Sequence, residues 1–163
     1  MAFVPGLYTY SFQYFNATIV GLGGIGIALA DGSGAAEGGI SFNFKQDKNH
    51  QTGGADGSVM NTQIQLNMGE ATARFMQTSP INAQLDQMYQ QQVVSGIGWG
   101  ANVISGFDSS SGSTVKATGV AFKRQPGLVY AMNGAVLEWQ FDIAQLYIVR
   151  GAGVLGTLGT AVP

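Results

Sequence analysis

The residues with a spacing that could do chemistry come early: Gly21-x-Gly23-x-x-Gly26 has the glycine pattern with which a strand-to-helix turn approaches a dinucleotide pyrophosphate. That use needs a helix of ten or more residues after the last glycine and an acid about 20 residues further on. Here Ile27, Ala28, Leu29 and Ala30 run straight into Asp31-Gly32-Ser33-Gly34, a turn signal that leaves no room for a crossover helix. The glycines read as a turn between two strands, and no nicotinamide or other cofactor is expected. The other candidates are as thin. Cysteine is absent and histidine occurs once, at His50, so thiol chemistry is excluded and zinc would have to rest on carboxylates, a poor fit. His50 is expected to be solvated on a loop, without a catalytic or ligand role. A serine nucleophile lacks a GxSxG elbow, and nine acids spread through the chain form no preferred pair. Tyr8, Tyr10, Phe12, Tyr14 and Phe15 have the composition of a sugar-stacking platform, against the plainer reading of a core or subunit contact. No enzyme is expected.

Composition points to surfaces instead. Charged residues make up 10% of the 163, against about 25% in an ordinary soluble domain, while 45% are hydrophobic. Such a chain belongs to a membrane or is covered by copies of itself. The uncharged first 30 residues are broken by Gln13, Asn16, hydroxyls and glycines and fall short of the roughly 20 continuous apolar residues of a spanning helix, and no basic region precedes them. The expectation is a soluble chain made in the cytoplasm, with no membrane association. Seven scattered Lys and Arg and a net charge of −2 do not make a grip on nucleic acid.

These features must be carried by mainly β structure. Period-two alternation places Ile40, Phe42 and Phe44 on one face, then Ile64, Leu66 and Met68 against Gln63, Gln65 and Asn67, and later Leu137, Trp139, Phe141 and Ile143 against Glu138, Gln140 and Asp142. "LYTYSFQYFNATIV", "ATARFMQT" and "STVKATGVAFKR" are further strands, the last following a Ser/Gly hairpin tip. One helix is predicted over about 80–92, with Ser79 as N-cap, Pro80 in the first helical position, and Ile81, Leu85, Met88 and Tyr89 on the face that packs against the sheet. Residues 45–59 hold much of the scarce charge and read as a long structureless loop. The whole chain, 1–163, reads as a single domain with an N-terminal segment, this loop, and a glycine-rich tail over 151–163 that is either frayed or ordered by a neighbour.

Several blocks in order are more specific than any single motif: Asp47-Lys48-Asn49, Ala55-Asp56-Gly57-Ser58, Thr78-Ser79-Pro80 with Asn82-Ala83-Gln84-Leu85, Gln87-Met88-Tyr89, Gly119-Val120-Ala121-Phe122-Lys123 and Glu138-Trp139. Over about residues 10–142 the chain resembles the tail tube proteins of certain contractile-tailed (myovirus-like) bacteriophages. The resemblance implies an α+β, mainly β fold of two antiparallel sheets in a small sandwich or barrel with one flanking helix. It implies six-membered rings that stack into a hollow virion tube, assembled in the host cytoplasm, through which DNA passes without specific binding. The partners it implies are other copies, the tail sheath, the baseplate, the tail terminator and the tape-measure protein. Within that frame Lys45, Asp47, Lys48, Asn49, Asp56, Lys123 and Arg124 are candidates for contacts between rings or subunits, and Gln63, Gln65, Asn67, Gln140 and Asp142 for the lumen wall. A tube subunit of a related contractile injection device, or a carbohydrate-binding or adhesion sandwich, stands as the alternative.

Overall fold

The computed structural model describes residues 10–21, 24, 26–30 and 35–151, without side-chain detail at 35–38. Residues 1–9 with Tyr8, the 31–34 turn, Gly23 and the tail from 152 lie outside the described residues. Among the described residues nine strands and one α-helix follow in chain order: β1 Phe15–Val20, β2 Gly26–Ala30, β3 Ala35–Phe44, β4 Asn49–Gly53, β5 Val59–Gln63, β6 Gly69–Met76, α1 Ile81–Ser95, β7 Asn102–Asp108, β8 Thr114–Arg124 and β9 Val136–Val149. The mainly β architecture with one helix is as the sequence predicts, but its two sheets are unequal. Seven strands pair antiparallel in the order β2-β1-β7-β8-β9-β6-β3, and β4 and β5 make a separate two-stranded hairpin.

The large sheet curls because its longest ribbon bends. Along β8 the buried residues run Ala117, Val120, Phe122, and along β9 they run Trp139, Phe141, Ile143, Leu146, so both strands change phase by one residue at the same place. Gly119 sits there with φ of +65°, beside a one-residue slip in the β7–β8 register. A bulge of this kind bends and twists its strand and lets a ribbon pass from one sheet half to another. On one side β8 pairs with β7, which continues into β1 and β2; on the other β9 pairs with β6, which continues into β3. The halves close on one core that includes Ala17, Ile19, Leu29, Ile104, Ala73, Phe75, Phe122, Trp139, Phe141 and Leu146.

Helix α1 packs onto this core through Ile81, Leu85, Met88 and Gln92, with Tyr89 half-buried edge-on to Phe122 at 5.5 Å. Phe122 also meets Trp139 and Phe141 at 5.9 and 5.1 Å, so one ring ties the helix to the β8–β9 ribbon. The predicted stripe is correct and Gln92 extends it. Gln92 and the fully buried Asn102 exchange amide hydrogen bonds of 2.7 and 3.1 Å, and Asn102 also donates to the Val120 carbonyl. The helix spans Ile81–Ser95 and ends, as the Ser95-Gly96 pair implies, at Gly96 in the left-handed region. Its N-cap position is Pro80, not Ser79; the Ser79 hydroxyl only reaches the Ile81 N–H at 3.4 Å.

Three other expectations change. Residues 45–59 are not structureless, since β4 and its turn lie within them. Residues 64–68 are not a strand: they cross from the hairpin to β6, held by isolated bonds such as Leu146 N–H to the Asn67 carbonyl and Lys45 N–H to the Met68 carbonyl. Alternation there reports an extended chain, whereas a strand also needs a partner along its length. The aromatic run does not continue as a strand through residues 10–14, where a 3-10 turn at Phe12–Tyr14 turns Phe12 and Phe15 toward the core and leaves Tyr10 and Tyr14 exposed.

The bend makes a stability prediction. A Cβ at Gly119 would lie 2.7 Å from the Ala144 Cβ on a left-handed backbone, so Gly119→Ala is expected to cost about 2 kcal/mol in chemical denaturation. Gly127→Ala, where a Cβ meets open space, should stay within about 0.5 kcal/mol of the parent.

Candidate assembly interface

The outer face of the β3-β6-β9-β8 half collects most of the ionised side chains of the sheet. Cross-strand register sets Asn43, Glu70, Asp142 and Ala121 in one row and Ser41, Thr72 and Gln140 in the next, with Arg74 beside Glu138. Three ion pairs lie across it: Lys45 with Asp142, Arg74 with Glu138 at 3.1 Å and Lys123 with Glu70 at 3.6 Å. Three cations meet three carboxylates, so the pairs leave no net charge. Glu138 accepts from the Gln140 amide at 2.8 Å and from the Arg74 Nε, and the Gln140 bond first, with the Arg74 charge and bond, holds its carboxyl below the usual range against the opposing effect of burial.

The two residue sets singled out in the sequence are interleaved. Asp142 of the lumen set is bonded to Lys45 of the contact set, and Asn67 accepts from the Lys48 ammonium, which also donates to the Leu66 carbonyl at 2.7 Å. Gln63 faces Asn49 across the hairpin, and the Asn49 amide reaches the Asn61 side chain at 3.3 Å. Gln65 is exposed on the crossing segment and Asp47 is exposed just before β4. Arg124 pairs in register with Gln140 at the far end of β8. Asp56 closes the hairpin turn, accepting from the Ser58 hydroxyl at 2.6 Å and the Ser58 N–H at 3.0 Å, which holds its carboxyl below the usual range.

The hairpin itself is the exception to ordinary packing. Every residue of β4 and β5 is exposed, Val59 and Met60 included. His50 therefore stands on a strand and not on a loop, solvated as expected. An isolated two-stranded hairpin is marginal in water, so this one has the form of an element that gains its support from another molecule. A second uncovered surface, which the sequence reading did not single out, is the connection over residues 125–135. It exposes Leu128, Val129, Tyr130 and Met132, although the Gln77 side chain pins it through the Val129 carbonyl and the Ala135 N–H. Its signal in the sequence is large apolar residues with no period, between Pro126-Gly127 and Asn133-Gly134.

Two clefts flank α1. One, of about 520 Å³, lies between the β1–β2 turn and the amides of Gln84, Gln87, Gln91 and Gln92. Gly21 and Gly26 thus join antiparallel strands and face the side of a helix, which is not the arrangement of a pyrophosphate turn. The other, of about 460 Å³, lies between the N-terminal half of α1 and residues 125–130. Among the described residues no group of three His, Cys, Asp or Glu could hold a metal, and no helix is long and apolar enough to cross a membrane.

Residues 7–151 match the family described as Bacteriophage PhiTE tail tube protein. The chain belongs to this phage tail tube family. No curated protein matches its sequence. Its fold is similar to a chain of the PVC extracellular contractile injection system in the extended sheath-tube complex, at 12% identity and TM-score 0.56, covering 88% of this chain and 93% of that one. It is also similar to the anti-feeding prophage cap that terminates the tube, at 11% identity and TM-score 0.51, covering 91% and 95%. A third likeness is to the PVC sheath/tube terminator, at 11% identity and TM-score 0.51, covering 88% and 99%. The tail tube family is a structural one, and membership makes this chain a virion component.

The contacts of Glu138 with Gln140 and Arg74 give the face a pH dependence with a definite sign. A carboxyl depressed in the folded state stabilises fully above its unfolded value of about 4.3 and loses that contribution as pH falls through the lower folded value. Glu138→Gln should therefore be slightly less stable than the parent at neutral pH, with the gap closing in acid; thermal melts from pH 7 down to 3 check this.

Proposed function

We propose that this protein is the non-enzymatic subunit of a contractile phage tail tube, forming hexameric rings that stack into a hollow conduit for DNA. The observation that carries the reading is a hairpin with no buried residue on a chain of the tail tube family. Stacking is a contact between unlike surfaces that does not close on itself, which is the geometry of a filament. Lys45, Asp47, Lys48, Asn49 and Asp56 belong to this projecting unit and its base, and take the contacts between rings. Lys123 and Arg124 lie on the sheet beyond it, at the margin of the face that bears Gln140 and Asp142, and take neighbours within the ring. The full chain acts as one domain and uses no cofactor. Sheath and terminator partners are supported by the sheath-tube and terminator assemblies in which similar folds occur. Baseplate and tape-measure contacts and assembly in the host cytoplasm follow from the same reading.

The lumen wall in this reading is the polar face bearing Gln140 and Asp142, continued by Gln63, Gln65 and Asn67. DNA carries about one negative charge per 1.7 Å, and in a narrow bore it runs within roughly a Debye length of 8 to 10 Å of the wall. A wall on which Lys45, Arg74 and Lys123 are each paired with a carboxylate offers phosphate little net attraction from those cations, so DNA slides along it. Tube subunits of contractile injection devices share this architecture and differ in cargo, and the structural likenesses favour that as the second reading.

Negative-stain electron microscopy of the purified protein across concentration and salt tests the assembly: rings or hollow tubes are expected, and small monodisperse particles at every condition, with purified baseplate added, count against it. Removing residues 52–60 should leave a subunit with unchanged circular dichroism that no longer polymerises. Gln140→Lys with Thr72→Lys should slow genome ejection several-fold in low salt, and unchanged kinetics would remove this face from the lumen.

A further inference from the structure

The two uncovered apolar surfaces sit at opposite ends of one half-sheet. The hairpin leaves the end where Phe44 pairs with Gly69, and the 125–135 connection caps the end where Met76 pairs with Val136. The eight residues of β6 separate these ends by roughly 24 Å at about 3.4 Å per residue. At the hairpin's outer end Val59 and Met60 are 63% and 61% exposed; at the other end Leu128 and Tyr130 are 74% and 83% exposed and Met132 fully so.

We infer that the hairpin tip of one subunit inserts at the 125–135 connection of a second copy of this chain, head to tail, so that Met60 and Val59, on opposite faces of β5, meet Tyr130 and Leu128, with Asp56 near Arg124. This rests on the assembly reading above and names the surface that receives the hairpin. Three features of the molecule select a second copy as the occupant. Each surface leaves large apolar side chains uncovered on the same chain, Val59 and Met60 on an otherwise polar hairpin and Leu128, Val129, Tyr130 and Met132 on the connection, so copies supply both halves. They lie at opposite ends of a rigid sheet, so one subunit cannot satisfy itself and the contact propagates as a stack. The charges match, because the tip carries the carboxylate of Asp56 while Arg124 immediately precedes the connection.

The receiving surface is also built in advance. Gln77 donates to the Val129 carbonyl at 3.3 Å and accepts from the Ala135 N–H at 3.1 Å, and Gln125 donates to Asp86 on α1. Beneath it the cleft of about 460 Å³ between the connection and α1 is lined by Leu128, Tyr130, Leu137 and Trp139. Gln77, Asn82, Asp86 and Gln125 line the same cleft, and a site held open by such hydrogen-bonding side chains loses little conformational freedom on binding. The exposed residues at the end of the helix and just beyond it, Val94, Ile97 and Trp99, are a rival receiver and serve as the control.

The chain has no cysteine, so introduced thiols report one contact each. The full-length double variant Met60→Cys/Tyr130→Cys, assembled and treated with a short thiol-to-thiol crosslinker, should give a ladder of trimers and higher species on denaturing gels. Val59→Cys/Leu128→Cys provides an independent pair should the first fail to fold. Each single variant should stop at dimers, and so should Met60→Cys/Ile97→Cys. Tubes from the double variants without a ladder, or a ladder from the Ile97 pair in place of the Tyr130 pair, would overturn the inference and leave the tube reading standing. Neither assembly nor crosslinking of the parent and both double variants, even with purified baseplate, would overturn both.

Discussion

The bend of the β8–β9 ribbon at Gly119 is the constraint on which the rest of the molecule depends. A flat seven-stranded sheet would show one apolar face of strands to solvent, and a single helix cannot cover it. The left-handed glycine and the register slip beside it turn the ribbon, so that the two halves of the sheet bury each other. Only the absence of a side chain permits this, because the Ala144 methyl occupies the space a Cβ would need. Phe122 lies on β8 three residues beyond the bend, and through Tyr89 and Trp139 it fixes where the helix sits. The reciprocal amide pair of Gln92 and Asn102 then sets the helix's register, since loss of either partner would strand a buried carboxamide.

Curling also sorts the surface. The outer face of one half carries three ion pairs, and the outer face of the other carries Asn16, Thr18, Ser105, Thr114 and Gln145 with Lys116 among them. Exposed ion pairs of this kind contribute about 0 to 1 kcal/mol each, so their arrangement is better understood through the field the face presents than through stability. Apolar residues that the core does not absorb lie on the hairpin and on the 125–135 connection, and also at the end of the helix, as Val94, Ile97 and Trp99, and on the outer face of the second half, as Phe107 and Tyr147. A chain with so few charges cannot keep such ends soluble by repulsion, and burial between copies accounts for both its composition and its shape.

The sequence was most legible where a single strand or helix face carries its own period. The stripe of Ile81, Leu85 and Met88, the alternation of Trp139, Phe141 and Ile143, and the Ser/Gly tip before Thr114 are in the structure as the residues imply. It was least legible where structure is supplied by a partner strand. "NHQTG" has no apolar residue and weak β propensity, yet it forms β4 because "VMNTQ" lies opposite across a tight turn. Conversely, Ile64, Leu66 and Met68 alternate without a ladder to join. The strand "NVISGFD" went unread because Ser105 and Gly106 interrupt its apolar pattern, and Gly106 is there because a Cβ would meet the Phe15 ring at 2.8 Å.

By itself the sequence determined a charge-poor, mainly β chain with one helix, no thiol chemistry in its residue types, and ordered blocks that place it with phage tail tubes. Those properties are local or compositional, and need only the residues and their spacing. Tertiary structure alone decided that the candidate lumen and contact residues are partners of one another, that residues 45–59 form part of a projecting hairpin, and that an uncovered apolar connection lies at the opposite end of the sheet. Each of these depends on which distant strand lies alongside, as Lys45 beside Asp142 shows, and a period along one strand carries no information about its neighbour across the sheet.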